Sequence, residues 1–436
     1  MLPVFCFVLF AFSANAQSVI RDSEIEQDLR IISEPIFSAA GLNPSQVKIV
    51  VLNDDMVNAF VAGGQNLFLY TGLILETKNV DQLAGVIAHE SGHMAGGHLV
   101  RMRGMSERAS IENIVATVLG VAVGVGAGDA QAGIATAMGG GEYARRTMLR
   151  NSRVLESSAD QAGMAALNRA GYSLQGMADF LEHLSSEEVL PEMQRSPYVL
   201  THPLSRERMQ TVQSYVATHP KGKDYPQEWQ EYFRRIQAKI LAFTAPAQAL
   251  RKYADDNSVS GKYARAIAKY RTGKISEALA LLSELQKSEP RNGFFMELQG
   301  QILFEQGRIA ESITAYRKAV ALQPKAGLMH LSLAQALLQD EKKIPTEALE
   351  QLIAARDNGE GDASQVYRNL AIAYGRMGQE GMAKLALAEE ALLKGDSGFA
   401  IEQARRAEPL LKDDPTSLQR ARDIQSAALR VKRDKR

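Results

Sequence analysis

Cysteine is almost missing from these 436 residues: the only thiol, Cys6, lies in the opening segment. Without cysteines no disulfide framework can staple the fold, and no thiolate site can hold a metal. Net charge is missing as well, because 50 Lys and Arg balance 50 Asp and Glu. That balance excludes a dedicated nucleic-acid binder, and the locally basic end "RVKRDKR" reads as a solvated terminus. The chain also lacks several long apolar runs, which disfavours a multi-span membrane enzyme. What remains is ordinary globular material, 45% apolar and 23% charged. Its length suffices for two or three domains, each with its own core.

The N-terminus, "MLPVFCFVLFAFSANAQS", has an apolar run over 2–12 followed by Ala14-Asn15-Ala16. The run is short for a membrane span and the small residues match a cleavage site, so 1–16 reads as a secretory signal removed before Gln17. The Lys or Arg that usually precedes such a run is absent. A mature chain without a thiol is compatible with export.

Residues 22–40 carry helical spacing, and "VKIVVLND" (47–54) and "NLFLYTGLI" (66–74) read as strands separated by the "AGG" turn at 62–64. From Val80 the apolar positions Leu83, Val86, Ile87 and Met94 recur at helical steps, with Asp81 as the expected cap. Helices are expected again over 142–170 and 175–186. Before them, 110–140 is nearly uncharged and rich in Ala, Gly and Val. Glycines at 120, 124, 126 and 128 cut it short of a full hydrophobic span. It reads as a partly helical flap near the site, with membrane-surface contact and a real span as the alternatives.

The second half repeats. Gly273 and Gly307, Pro290 and Pro324, and Ala266 and Gly300 are pairs 34 residues apart. Small residues at helix contacts, with Pro closing the second helix, resemble the tetratricopeptide repeat. A third unit (327–360) is lengthened around "EKKIP", a fourth contains Gly378, and 395–436 form a degenerate cap. Such helix pairs bury their apolar faces only by stacking, which creates a concave groove.

The stretch "VIAHESGHMAGGH" concentrates three of the seven histidines. Four-residue spacing on a helix puts His89 and His93 on one face, where both imidazoles reach one cation. Glu90 points toward a water beside that cation and is positioned as general base. Zinc with two imidazoles needs a third protein ligand. In the longer pattern ending in a third His, the required position is 99, which is Leu; His98 is one short and reads as structural or surface. The alternative is a later carboxylate. "VLESSADQAG" offers Glu156 and Asp160 on one helical face, Glu156 as a possible ligand and Asp160 as a possible acceptor for a ligand histidine's second N–H.

The segments "NAFVAGGQNLFLYTGLI", "VIAHESGHMAGGH", "ESSAD" and "THPLSRER", in this order over about 20–215, resemble the M48 family of zinc metallopeptidases. The resemblance implies one Zn²⁺ held by His89, His93 and Glu156, with Glu90 as base and Asp160 supporting a ligand histidine. It also puts His202 and Arg208 near the metal. His202 then either occupies the open metal position as a gate or stabilises the oxyanion; the gate is the favoured reading. The expected architecture is an α+β zincin-like domain over 17–245, mostly helical with a small sheet, followed by an all-α repeat solenoid over 260–436. The implied function is a periplasmic endopeptidase acting on unfolded or misassembled proteins, with the repeats holding outer-membrane beta-barrel precursors or their assembly machinery. The rival is a non-proteolytic chaperone or scaffold that uses the repeat groove and keeps zinc only for structure.

Overall fold

The computed structural model describes residues 18–98, 153–185, 196–219, 222–340, 344–360 and 363–434. The expected signal at 1–16 and the Gly-rich segment at 110–140 lie outside these residues. The chain is mostly helical, and it divides into two compact units, Met1–Arg21 with Ile25–Ile240, and Asp22–Glu24 with Leu241–Arg436. Among the described residues no helix is long and apolar enough to cross a membrane.

In the first unit, β1 (Ser18–Ile20), β2 (Lys48–Asn53), β3 (Ala59–Ala62) and β4 (Asn66–Tyr70) form one sheet in the order β1-β2-β4-β3. Helix α1 (Ser23–Ala39) buries Leu29, Ile32 and Ile36 in the core shared with the sheet. The "AGG" turn joins β3 to β4, and β2 and β4 run parallel, Lys48 opposite Asn66 and Leu52 opposite Tyr70. Strand β3 was not expected: its alternation of buried Ala59 and Val61 with half-buried Phe60 and Ala62 is only four residues long. The expected strand at 66–74 also ends early, because Thr71–Glu76 is helix α2. There the Thr71 hydroxyl donates to the Asp54 carbonyl (2.7 Å), and Gly72 lies so close to Asp55 that a Cβ would come within 2.1 Å of its carbonyl oxygen.

Helix α3 (Val80–Ala95) is capped by Asn79, whose side chain accepts from Gln82 N–H at 2.9 Å. The expected cap, Asp81, instead accepts from Gln230 Nε2 at 2.9 Å. Asn79 sits at the half-in position where an amide oxygen can reach back to the free N–H groups, and Asp81 is already inside the first turn. Residues 153–170 form helix α4. Helices α3 and α4 meet backbone to backbone. A Cβ on Gly92 would lie 2.4 Å from the Ala159 oxygen, and one on Gly163 would lie 2.9 Å from the Ala88 carbonyl. Helices α5 (Gln175–Ser185), α6 (Pro197–Thr201) and α7 (Arg206–Thr218) follow. In α8 (Gln227–Thr244), Trp229, Phe233, Ile236 and Ile240 recur at three- and four-residue steps and enter the same core.

The second unit opens with α9 (Pro246–Lys252) and continues as helix pairs. Helices α10 (Val259–Arg271), α12 (Gly293–Glu305) and α14 (Gly327–Leu337) begin at successive 34-residue steps. Their partners are α11 (Ile275–Ser288), α13 (Ile309–Leu322) and α15 (Thr346–Ala355), the last reached by a longer connection. Gly273 and Gly307 close the first two helix turns at φ +80° and +71°, the left-handed region that other residues avoid. A fourth pair, α16 (Ser364–Arg376) and α17 (Glu380–Leu393), precedes a terminal pair, α18 (Ser397–Ala407) and α19 (Pro415–Asp434). Small residues let these helices approach: a Cβ on Gly300 would come within 2.7 Å of the Tyr316 ring.

The contact between α3 and α4 yields the first prediction. Gly92→Ala forces a methyl against backbone that has no side chain to yield, so it should destabilise the protein by about 1–3 kcal/mol. Thermal unfolding checks this, and an unchanged midpoint would contradict the close approach.

Candidate metal centre

Four elements deliver the site. Helix α3 brings His89, Glu90 and His93; α4 brings Glu156 and Asp160; His202 caps the C-terminal end of α6; Arg208 lies in the first turn of α7. All seven side chains are buried. One donor atom from each of His89, His93, Glu156 and His202 lies within 4.8 Å of the others.

Inside the cluster, His89 Nε2 and His93 Nε2 are 3.1 Å apart, and Glu156 Oε1 is 3.3 Å from His93 Nε2. Glu156 Oε2 is 3.4 Å from His89 Nε2 and 3.1 Å from His202 Nδ1. The second nitrogen of His89, Nδ1, meets Asp160 Oδ1 at 2.9 Å. Arg208 clamps the same carboxylate, donating from Nε to Oδ2 at 2.7 Å and from Nη2 to Oδ1 at 2.9 Å. Arg208 Nη1 also donates to the Pro203 carbonyl at 2.8 Å, which fastens the chain just beyond His202. With Asp160 held as an anion, His89 donates its Nδ1–H there and turns Nε2 into the cluster.

The electrostatics show what this arrangement lacks. Burial alone would raise the Glu156 carboxyl, but hydrogen bonds from His202, His89 and His93 hold it far below the ordinary carboxylate range. Burial likewise opposes ionisation of Asp160, and His89 and Arg208 outweigh it to keep the carboxyl depressed. Burial would lower His89, yet its bonds to Asp160 and Glu156 push it up to about 10. His93 is lowered, first by burial. Converging lone pairs and a buried carboxylate thus bind a positive charge wherever one is offered. A divalent metal ion fits that demand, and it would displace the proton of His89, so its affinity falls as the pH falls.

Glu90 is different. It is fully buried, yet neither oxygen has a hydrogen-bond partner among the described residues; His202 Nε2, 3.5 Å away, is likewise unsatisfied. A buried carboxylate without a hydrogen bond is costly, so its place beside the cluster calls for a polar partner beyond the described residues.

Two neighbours were not legible in the sequence. Tyr198 packs its ring 4.6 Å from that of His202, and burial, with Glu90 and Glu156 nearby, pushes its hydroxyl well above the ordinary value. No local spacing marks it. His98 was expected to be structural or at the surface and, on a continuous helix, to point away from the face of His89 and His93. It is buried, with Nδ1 3.1 Å from His93 Nδ1.

Residues 23–216 match peptidase family M48, and 263–327 and 297–363 match the tetratricopeptide repeat. The N-terminal unit is an M48 peptidase domain. With it the chain is a metalloendopeptidase carrying a tetratricopeptide array. It is 27% identical over 356 residues to the Beta-barrel assembly-enhancing protease of Escherichia coli (strain K12), covering 79% of this chain and 71% of that one. The protein of the same name from Yersinia pestis is 26% identical over 334 residues, 74% of this chain and 67% of its own. Metalloprotease YcaL of Escherichia coli (strain K12) is 26% identical over 200 residues, 45% of this chain and 72% of its own.

The M48 centre yields a prediction at Asp160. Asp160→Asn keeps the shape but removes the charge that orients His89 and pairs with Arg208, so metal affinity should fall about 10–100-fold. Competition with a chromophoric chelator measures this; wild-type affinity would show that the Asp160–His89 bond is dispensable.

Proposed function

We propose that this metalloendopeptidase is a zinc enzyme exported to the periplasm. There it hydrolyses misfolded or stalled proteins during outer-membrane protein quality control and beta-barrel assembly. The names of its relatives support that setting, and the repeats would hold the client or the assembly machinery. The observation that carries the catalytic reading is Glu90, a buried carboxylate without a hydrogen-bond partner among the described residues, beside a four-donor cluster. A purely structural zinc site, as in a non-proteolytic scaffold, gives such a group no use.

His89, His93 and Glu156 would hold the ion. When bound, zinc supplies Lewis acidity that polarises the scissile carbonyl and acidifies an attacking water. Glu90 takes that water's proton and delivers it to the leaving amine. Asp160 and Arg208 hold His89 in register and keep the chain after His202 in place. Strand β3 ends the sheet among the described strands, and its register with β4 turns the N–H and C=O of Ala59 and Val61 away from β4. An extended client segment would add there as a strand, so cleavage depends on unfolded backbone more than on sequence.

His202 acts as a gate in this reading, because its Nδ1 lies among the donor atoms where a fourth ligand would sit. The helix that carries it is tied to the strand edge: Tyr198 N–H donates to the Val57 carbonyl at 3.1 Å. A client strand competing for that edge would loosen the helix and draw His202 away.

Purified wild type and Glu90→Gln, compared on casein and an unfolded beta-barrel protein with zinc quantified in both, test the mechanism. The variant should keep its zinc and lose hydrolysis by several orders of magnitude. Near-wild-type turnover would refute the role of Glu90. Glu156→Ala should lose metal and activity together. For the gate, His202→Ala should raise basal proteolysis of unfolded substrate. A fall of about 10²-fold with zinc retained would instead assign His202 to the oxyanion.

A further inference from the structure

The buried contact between His93 and His98 has no part in the mechanism above. Five residues along a continuous helix, His98 would point away from the face of His93. Helix α3 does not continue. It stops at Gly96, whose N–H bonds the Gly92 carbonyl at 2.9 Å, and Gly97 adopts φ +61°. That left-handed residue turns the chain back on itself and lays His98 over the last turn of the helix. Gly96 makes the room: a Cβ there would lie 2.2 Å from His98 Nε2 and 2.6 Å from its Cδ2. The two rings meet edge-on, planes 87° apart and centres 5.0 Å apart.

The proton arithmetic of this pair is restrictive. His93 points Nε2 into the cluster, 3.1 Å from His89 Nε2 and 3.3 Å from Glu156 Oε1. To offer a lone pair there, a neutral His93 must carry its proton on Nδ1. That N–H faces His98 Nδ1 at 3.1 Å, so His98 must present a lone pair at Nδ1 and keep its own proton on Nε2. We propose that His98 is a positioning residue for the metal centre, the hydrogen-bond acceptor that fixes the tautomer and ring orientation of His93. His98 does for His93 what Asp160 does for His89. The two ligand histidines are thus backed by different groups, one by an arginine-clamped anion and the other by a neutral imidazole. A glycine pair, not a partner helix, delivers the second backing group.

The inference rests on His93 being a metal ligand, so the experiment separates the two claims. The probe is Zn²⁺, titrated into metal-free full-length protein against a chromophoric chelator at one fixed pH. Thermal unfolding of the metal-free forms is recorded alongside. His98→Phe retains a ring but no acceptor and should weaken zinc binding about 10–100-fold. His98→Asn puts an amide oxygen near the former Nδ1 and should restore affinity to within a few-fold of wild type. Should the Phe variant fail to fold, His98→Ala against His98→Asn makes the same comparison. Wild-type affinity in the variant lacking an acceptor would overturn the proposal. Equal loss in both substitutions, in step with lower metal-free stability, would also overturn it, leaving packing alone. The control is His93→Ala, which should bind zinc far more weakly than any His98 variant. Undiminished binding there would remove His93 as a ligand and this inference with it. Loss there alongside full binding in His98→Phe would sink only the role of His98.

Discussion

The metal centre depends on two helices whose backbones touch. Where α3 crosses α4, Gly92 and Gly163 leave no Cβ between them, and side chains from both helices converge within hydrogen-bond distance. Had either glycine carried a side chain, Glu156 and Asp160 would stand away from His89 and His93, and no rotamer change would recover the lost reach. The catalytic geometry is in this sense a packing result, and the buried charges then follow from it. The remaining pieces, the cap of α6 and the first turn of α7, are fastened to α4 through Arg208.

Charge is the second constraint. Glu156 and Asp160 are both buried and both held ionised, which an apolar interior tolerates only with compensation close by. Arg208 compensates Asp160 through two hydrogen bonds. For Glu156 the compensation comes from the imidazoles, from Arg208 Nη1 at 3.2 Å and from whatever cation they share. Glu90 stands apart because neither of its oxygens has a hydrogen-bond partner among the described residues, with His202 Nε2 the near neighbour at 3.5 Å; the proposed role as base would use that free acceptor. In the repeat unit the buried carboxylates Glu389 and Glu390 are matched by Arg420 and by Arg368 and Lys394, and the cluster of Leu385, Ala388, Ala404 and Ile424 is aliphatic and alanine-rich.

Much of this was legible in the sequence, for identifiable reasons. His89 and His93 at a four-residue interval, Glu156 and Asp160 at another, and the 34-residue spacing of Gly273 and Gly307 all depend on helical periodicity, a strong local signal. What escaped depends on long-range or non-helical geometry. The four-residue strand β3 is too short to declare its period, and Leu73 and Ile74 suit a strand or a helix equally. Counting along a continuous helix sent His98 to the wrong side; the pair Gly96-Gly97 carried the opposite message. Tyr198 has no local signature, because its importance arises only once its ring packs against His202 beside the cluster.

The central claim, that this cluster is where the catalytic ion sits, is tested most directly by anomalous diffraction at the zinc edge from crystals of the full chain grown with stoichiometric Zn²⁺. The account predicts one peak per chain, at about 2.0–2.2 Å from nitrogen atoms of His89 and His93 and a carboxylate oxygen of Glu156. A peak elsewhere, or one that leaves Glu156 outside bonding distance, would contradict it.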